Sequence, residues 1–200
     1  MDNPKIAELG VFTPAGVLTP GYGDHYLFFV GHDDVHGILH YLLSRETLSL
    51  EFNQFGYDDE ELNDDIMALI KNPSVVVQGT LDKSQAGGVH ERKILDLDMA
   101  QNQTGFSNSI AVGQSATHQI SHTKGGILVS QGVAYEGSTN WSKSGEGEGI
   151  SLKADVANPK GFAAQNNTLL ISSNMVFISR FRTQLGIEHR IAVAQGGKIL

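Results

Sequence analysis

The sequence predicts an α/β fold, a mixed β-sheet flanked by helices on both faces. Three observations predict it. In the first half, apolar runs of strand length alternate with segments of helical periodicity, the signature of an α/β layer. Short core-like runs, YLFFV at 26–30 and TLLIS at 168–172, are too short for helices and suit buried strands. The composition is ordinary for a globular chain: 200 residues, 40% hydrophobic and 18% charged, long enough to bury one core. A single domain over 1–200 is the expectation.

Residues 1–24 contain TPAG and TPGYG and read as an irregular, turn-rich segment. Strand 26–30 follows, and Gly31 breaks it. Asp33 or Asp34 can cap a helix over 35–45, with Val35, Ile38, Leu39 and Leu42 on one apolar face. TLSLEF (47–52) alternates and reads as a strand. Residues 58–71 (DDEELNDDIMALIK) form a second helix, acids in its first turns and Lys71 at its end, as the helix dipole favours. Asn72-Pro73 stops it, and SVVVQ (74–78) reads as a buried strand parallel to the earlier one.

Residues 82–117 are less regular. KILDLDM is apolar on alternate positions, and QNQTGFSNS is a polar loop. Residues 118–130 and 133–137 read as two strands around Gln131-Gly132. KSGEGEG opens a Gly-rich loop insertion at 143–163. After strand 168–172, a closing helix over 174–185 carries Met175, Phe177, Ile178 and Phe181. No internal repeat is present.

The net charge of −8 excludes a general basic coat for nucleic acid, although a local patch is compatible with it. The absence of cysteine excludes disulfides and Cys-ligated zinc. MDNPKIAELG carries acids and no apolar run, so no secretion signal is read there. No run is long enough for stable membrane insertion. A cytoplasmic protein is the expectation.

The stretch HTKGGILVSQGVAYEGSTNWS carries the chemistry. Histidine is a nucleophile near neutral pH. On a strand, a lysine two residues along projects to the same face, so His122 and Lys124 point together. Ser138 and Asn140 repeat that spacing after Gly137, which permits close backbone approach. A nucleophile, a cation and two neutral hydrogen-bonding groups around one concavity suit an anion with several oxygens, a phosphate.

His122-Thr-Lys124 followed by Gly137-Ser138-Thr139-Asn140 resembles the phospholipase D superfamily, whose motif is HxKxxxxD followed by GSxN. The upstream order of strand, helix, strand, helix and VVVQGTLD is similar too, over about residues 26–185. The motif aspartate is not matched: Val129 stands five residues after Lys124, and neither Ser130 nor Gln131 is acidic. A later family carboxylate corresponds to none of Glu146, Glu148 and Asn166 cleanly. These departures leave the nucleophile and phosphate clamp intact but weaken the support that orients His122, so lower activity or a changed substrate is compatible with them.

The resemblance implies a phosphodiester hydrolase that needs no metal or other cofactor. His122 attacks phosphorus to form a phosphohistidine, and Lys124, Gly137, Ser138 and Asn140 hold the phosphate. Members with a single motif assemble as a homodimer, so that a second His122 protonates the leaving oxygen. A nucleic-acid substrate is preferred, as small single-motif members are often nucleases. A lipid phosphodiesterase and a weakened, phosphate-binding homologue are the alternatives.

Other residues have plainer readings. His32, His36 and His40 are spaced for a helix-borne metal centre, but a polar stripe beside the apolar face is the preferred reading. DDEELNDD reads as a solvated helix face, and Trp141 as a packing residue rather than a stacking platform. His90, Arg92 and Lys93 read as a surface loop. Arg180, Arg182, His189 and Arg190 read either as a phosphate-facing group or as surface ion pairs.

Overall fold

The computed structural model describes residues 4–102 and 108–196. Its centre is a seven-stranded sheet of order β1-β7-β6-β5-β2-β3-β4. The strands are β1 His25–Phe29, β2 Ser49–Gln54, β3 Val76–Asp82, β4 Ser109–Gly113, β5 Lys124–Leu128, β6 Val133–Gly137 and β7 Thr168–Ser172. β2, β3 and β4 run parallel, whereas β2–β5, β5–β6, β6–β7 and β7–β1 pair antiparallel. The helices are α1 Pro4–Ala7, α2 Val35–Leu43, α3 Glu60–Lys71, α4 Val89–Asn102, α5 Lys143–Glu146 and α6 Met175–Gln195.

The period-two alternation of β2 divides the molecule. Leu50 and Phe52 join the larger core with Leu39 of α2, Leu62 and Ile66 of α3 and Ile94 of α4. Glu51 and Asn53 point to the opposite face, where α6 lies. A smaller cluster there joins Ile127 and Ala134 to Ile178 and Leu185 of α6. Helices thus cover both faces of a mixed sheet.

The α6 face is half polar. Arg182 forks onto Glu51, its Nε donating at 2.9 Å. Asn53 donates to Glu188 at 2.5 Å. The buried His189 ring contacts Ser109 Oγ at 2.8 Å and Gly79 O at 3.1 Å, and burial lowers its pKa. The late basic group is therefore divided: Arg182 is an exposed ion-pair partner of Glu51, and His189 is a buried contact.

Several segments differ from the sequence reading. Residues 4–12 are helical, α1 running into a 3₁₀ turn at Glu8–Phe12, because Ile6 and Leu9 are fully buried. KILDLDM, left without an element by its alternate apolar positions, lies inside α4. Acids hide the helical period: Glu91 and Asp98 are buried on the stripe that also holds Ile94. The strand read over 118–130 is only Lys124–Leu128, and β4 was not legible; of the polar loop beside it, residues 103–107 lie outside the described residues. α6 continues ten residues past Leu185, through Gly186, because Leu185, His189 and Ala192 extend its buried stripe. Among the described residues, no helix is long and apolar enough to cross a membrane.

Candidate functional site

The sheet register gathers three strand ends. Lys124, which opens β5, pairs with Gln54 at the end of β2, and Gly125 pairs with Glu136 near the end of β6. The chain before β5, the loop after β2 and the GSTN segment after β6 therefore emerge together. His122 is exposed at this edge, with its ring centroid 4.6 Å from that of Phe55 in an edge-on contact. Lys124 is 5% exposed, and its Nζ lies 4.9 Å from the same Phe55 centroid. Nζ donates to the His122 carbonyl oxygen at 3.1 Å.

Among the described residues, no carboxylate lies within ion-pair distance of Lys124. A buried ammonium with only a carbonyl and a ring face for company is incompletely compensated. Burial lowers the Lys124 pKa. Burial also lowers the His122 pKa, with help from the Lys124 charge and against the pull of Asp82. His122 is therefore favoured as the free base, the form a nucleophile needs.

The GSTN segment is only partly joined to that pair. A Cβ at Gly137 would fall 2.0 Å from Thr168 O, so glycine is what lets β6 approach β7 there. Ser138 turns toward β7, donating to Asn167 Oδ1 at 3.1 Å and accepting from Thr168 N at 3.0 Å. Asn140 lies on Gly56, where a Cβ would come within 2.7 Å of its side chain, and its buried Oδ1 has no partner. A cavity of about 420 Å³ is lined by Asn140 with Phe55, Gln85 and Glu91. His122 lines a different one of about 350 Å³, with Ile120, Gln184 and Glu188. The structure thus brings His122 and Lys124 together on Phe55, which also borders the Asn140 cavity, and leaves Ser138 bonded to β7.

Phe55 is the residue that sequence reasoning missed. Its one available signal was position, directly after a core strand. Trp141 packs as expected, 1% exposed among Phe52, Tyr57 and Tyr135.

Val129 and Ser130 follow the far end of β5, opposite His122, so an acid there would not touch the imidazole. Val129 packs against the α6 cluster. The Ser130 amide donates to Glu46 Oε1 at 3.0 Å. That oxygen also accepts from the amides of Thr47, Leu48 and Ser49. A buried carboxylate therefore stands beside the unmatched motif position, supplied by the α2–β2 connection and fixing backbone.

The three helix-region histidines do not converge. His32 precedes α2 and bonds Asp33, and His40 bonds Asp65 at 2.8 Å. His36 is buried, its Nδ1 2.7 Å from Glu146 Oε2 and its Nε2 2.7 Å from Glu61 Oε2. Burial alone would lower the His36 pKa, but these bonds outweigh it and raise it to about 10. Glu146, expected in a flexible loop, sits in α5 with its side chain fully enclosed. His90 lies 3.7 Å from Asp58.

No family model matches the chain, and no curated protein matches it by sequence. Solved structures do match. A phospholipase D family member, Nuc from Salmonella typhimurium, aligns with a TM-score of 0.58 at 11% identity, over 84% of this chain and 96% of that one. NucT from Helicobacter pylori aligns at 0.59 and 13% identity, with the same coverage. Phosphatidylserine synthase from Haemophilus influenzae aligns at 0.55 and 11%, over 84% of this chain and 39% of that one. The mixed seven-stranded sheet with helices on both faces is the fold of the phospholipase D superfamily.

Proposed function

We propose that the chain is a metal-independent phosphodiester hydrolase that works through a phosphohistidine at His122. The observation that carries this reading is the nearly buried Lys124 ammonium, unpaired with any described carboxylate and anchored to the His122 backbone. Such a cation favours an arriving anion, and a phosphodiester supplies one within reach of an unprotonated imidazole.

The imidazole attacks phosphorus, forming an N–P bond as the P–O bond to the leaving group breaks. A second copy of His122, from a two-fold related chain and present as the imidazolium, gives the leaving oxygen its proton and is left neutral. That same ring then takes a proton from water, whose oxygen displaces His122 from phosphorus. Lys124 offsets the charge of the five-coordinate state, and Asn140 and the Gly137 backbone serve the phosphate oxygens. Ser138 joins them once its bond to Asn167 is exchanged. The resemblance of the single motif to small nucleases favours nucleic acid over phospholipid as substrate.

A second reading is a phosphate-binding homologue without turnover. One observation favours it: among the described residues no side chain hydrogen-bonds the His122 ring, which makes a T-shaped contact with Phe55. Incubation with plasmid DNA, a chromogenic phosphodiester and phosphatidylcholine vesicles, each with chelator present, separates the readings. Chelator-resistant cleavage supports the hydrolase, and binding without cleavage supports the second reading.

A further inference from the structure

His36, Asp59 and Glu146 come from α2, the N-cap of α3 and α5, and the proposed chemistry uses none of them. They are 7%, 3% and 0% exposed. One ligand atom from each lies within 4.8 Å of the others. The geometry points to a structural divalent-cation site here, of the imidazole–carboxylate type that suits Zn²⁺.

Three observations carry this. Cis ligands on a four-coordinate ion with bonds of about 2.0–2.1 Å lie roughly 3.3 Å apart. His36 Nδ1 is 2.7 Å from Glu146 Oε2 and 3.7 Å from Asp59 Oδ2, spacings on either side of that value. Small shifts of two side chains therefore open the site. Second, the other ring nitrogen, Nε2, is 2.7 Å from Glu61 Oε2, the carboxylate partner that metal-bound histidines commonly have. Third, the fully buried Glu146 has a second oxygen, Oε1, with no hydrogen-bond partner. It can complete a bidentate contact.

The charges point the same way. Asp59, Glu61 and Glu146 surround one imidazole, and His40 reaches Glu61 at 3.7 Å. Among the described residues no lysine or arginine lies within ion-pair distance of these three acids. An entering ion displaces the Nδ1 proton to solvent and takes its place as the cation between the carboxylates. Asp59 keeps its capping role through Oδ1, which accepts from Leu62 N at 2.9 Å. The ion would pin α5 to α2 and α3 without meeting substrate. This site is independent of the phosphohistidine reading.

The test uses the full chain with Zn²⁺ or Co²⁺ alone. After exhaustive dialysis, one equivalent of Zn²⁺ per chain should remain. Metal at 100 times its Kd should raise the folding equilibrium constant by about 100-fold, seen as a higher Tm. Co²⁺ should give intense visible bands of a low-coordinate site. His36→Gln and Glu146→Gln should lose the stoichiometric ion, and His32→Gln should keep it. Should the first two variants not fold, the wild type decides alone: one equivalent of Zn²⁺ must remove the His36 Nδ1–H signal and shift its ¹⁵N resonance. No retained ion, a spectrum of aqueous Co²⁺, an unchanged His36 resonance, or equal retention by folded variants would overturn the site.

Discussion

Lys124 is the most telling side chain at the proposed centre, because burying an ammonium without a counter-ion costs stability unless an anion is to come. His122→Asn should fold normally and show no turnover. Lys124→Gln should lose about 10²–10³-fold in kcat, the usual cost of one such charge-stabilising group. His122 also has a pH signature. Burial and the Lys124 charge lower its pKa from 6.5, so NMR should find the ring titrating below that value. The unfolded chain takes this proton first, so the His122 contribution to stability falls as pH drops below about 6.5. Lys124→Gln removes one cause and should move the titration back up. At this scale the sequence showed His122 and Lys124 because strand spacing brings i and i+2 together. It did not show Phe55, whose part depends on the register of β2 against β5. The partners of His36 were also hidden, since Glu146 lies 110 residues away.

At the scale of elements, Glu46 fixes the backbone beside the unmatched motif position. Glu46→Gln weakens an acceptor shared by four backbone amides and should cost about 1.5–3 kcal/mol in chemical denaturation, with the His122 NMR titration unmoved. Gly56→Ala tests the other side of Phe55. Its Cβ would strike the Asn140 side chain at 2.7 Å, so kcat should fall while far-UV spectra stay unchanged. The strands β6 and β7 and the starts of α2 and α6 were legible because apolar period and capping residues agree there: Asp34 and Asn174 both accept from the first-turn amides. α4 was not legible because Glu91 and Asp98 take core-facing positions, Asp98 accepting from the Ile110 amide of β4. The sequence reading also ended α6 early, at Leu185; the buried stripe carries the helix on through Gly186 and outweighs that residue's conformational cost.

At the scale of the whole molecule, the proposal needs two chains. Light scattering should give twice the 21.6 kDa of one chain. Mixing wild type with an excess of His122→Asn should poison activity, because each mixed pair lacks one imidazole. A monomer with full activity would count against the shared site. Fold class was readable because the alternation of strands and helices is a local signal. Strand order was not: β1 pairs with β7 across about 140 residues, and no local pattern encodes that.

The most direct measurement is rapid-quench mass spectrometry of the wild type, with a chromogenic phosphodiester in excess and chelator present. The account predicts a phosphoryl adduct on the peptide containing His122, formed and consumed at rates matching turnover. Turnover under those conditions with no adduct on that peptide, or with hydrolysis unaffected in His122→Asn, would contradict it.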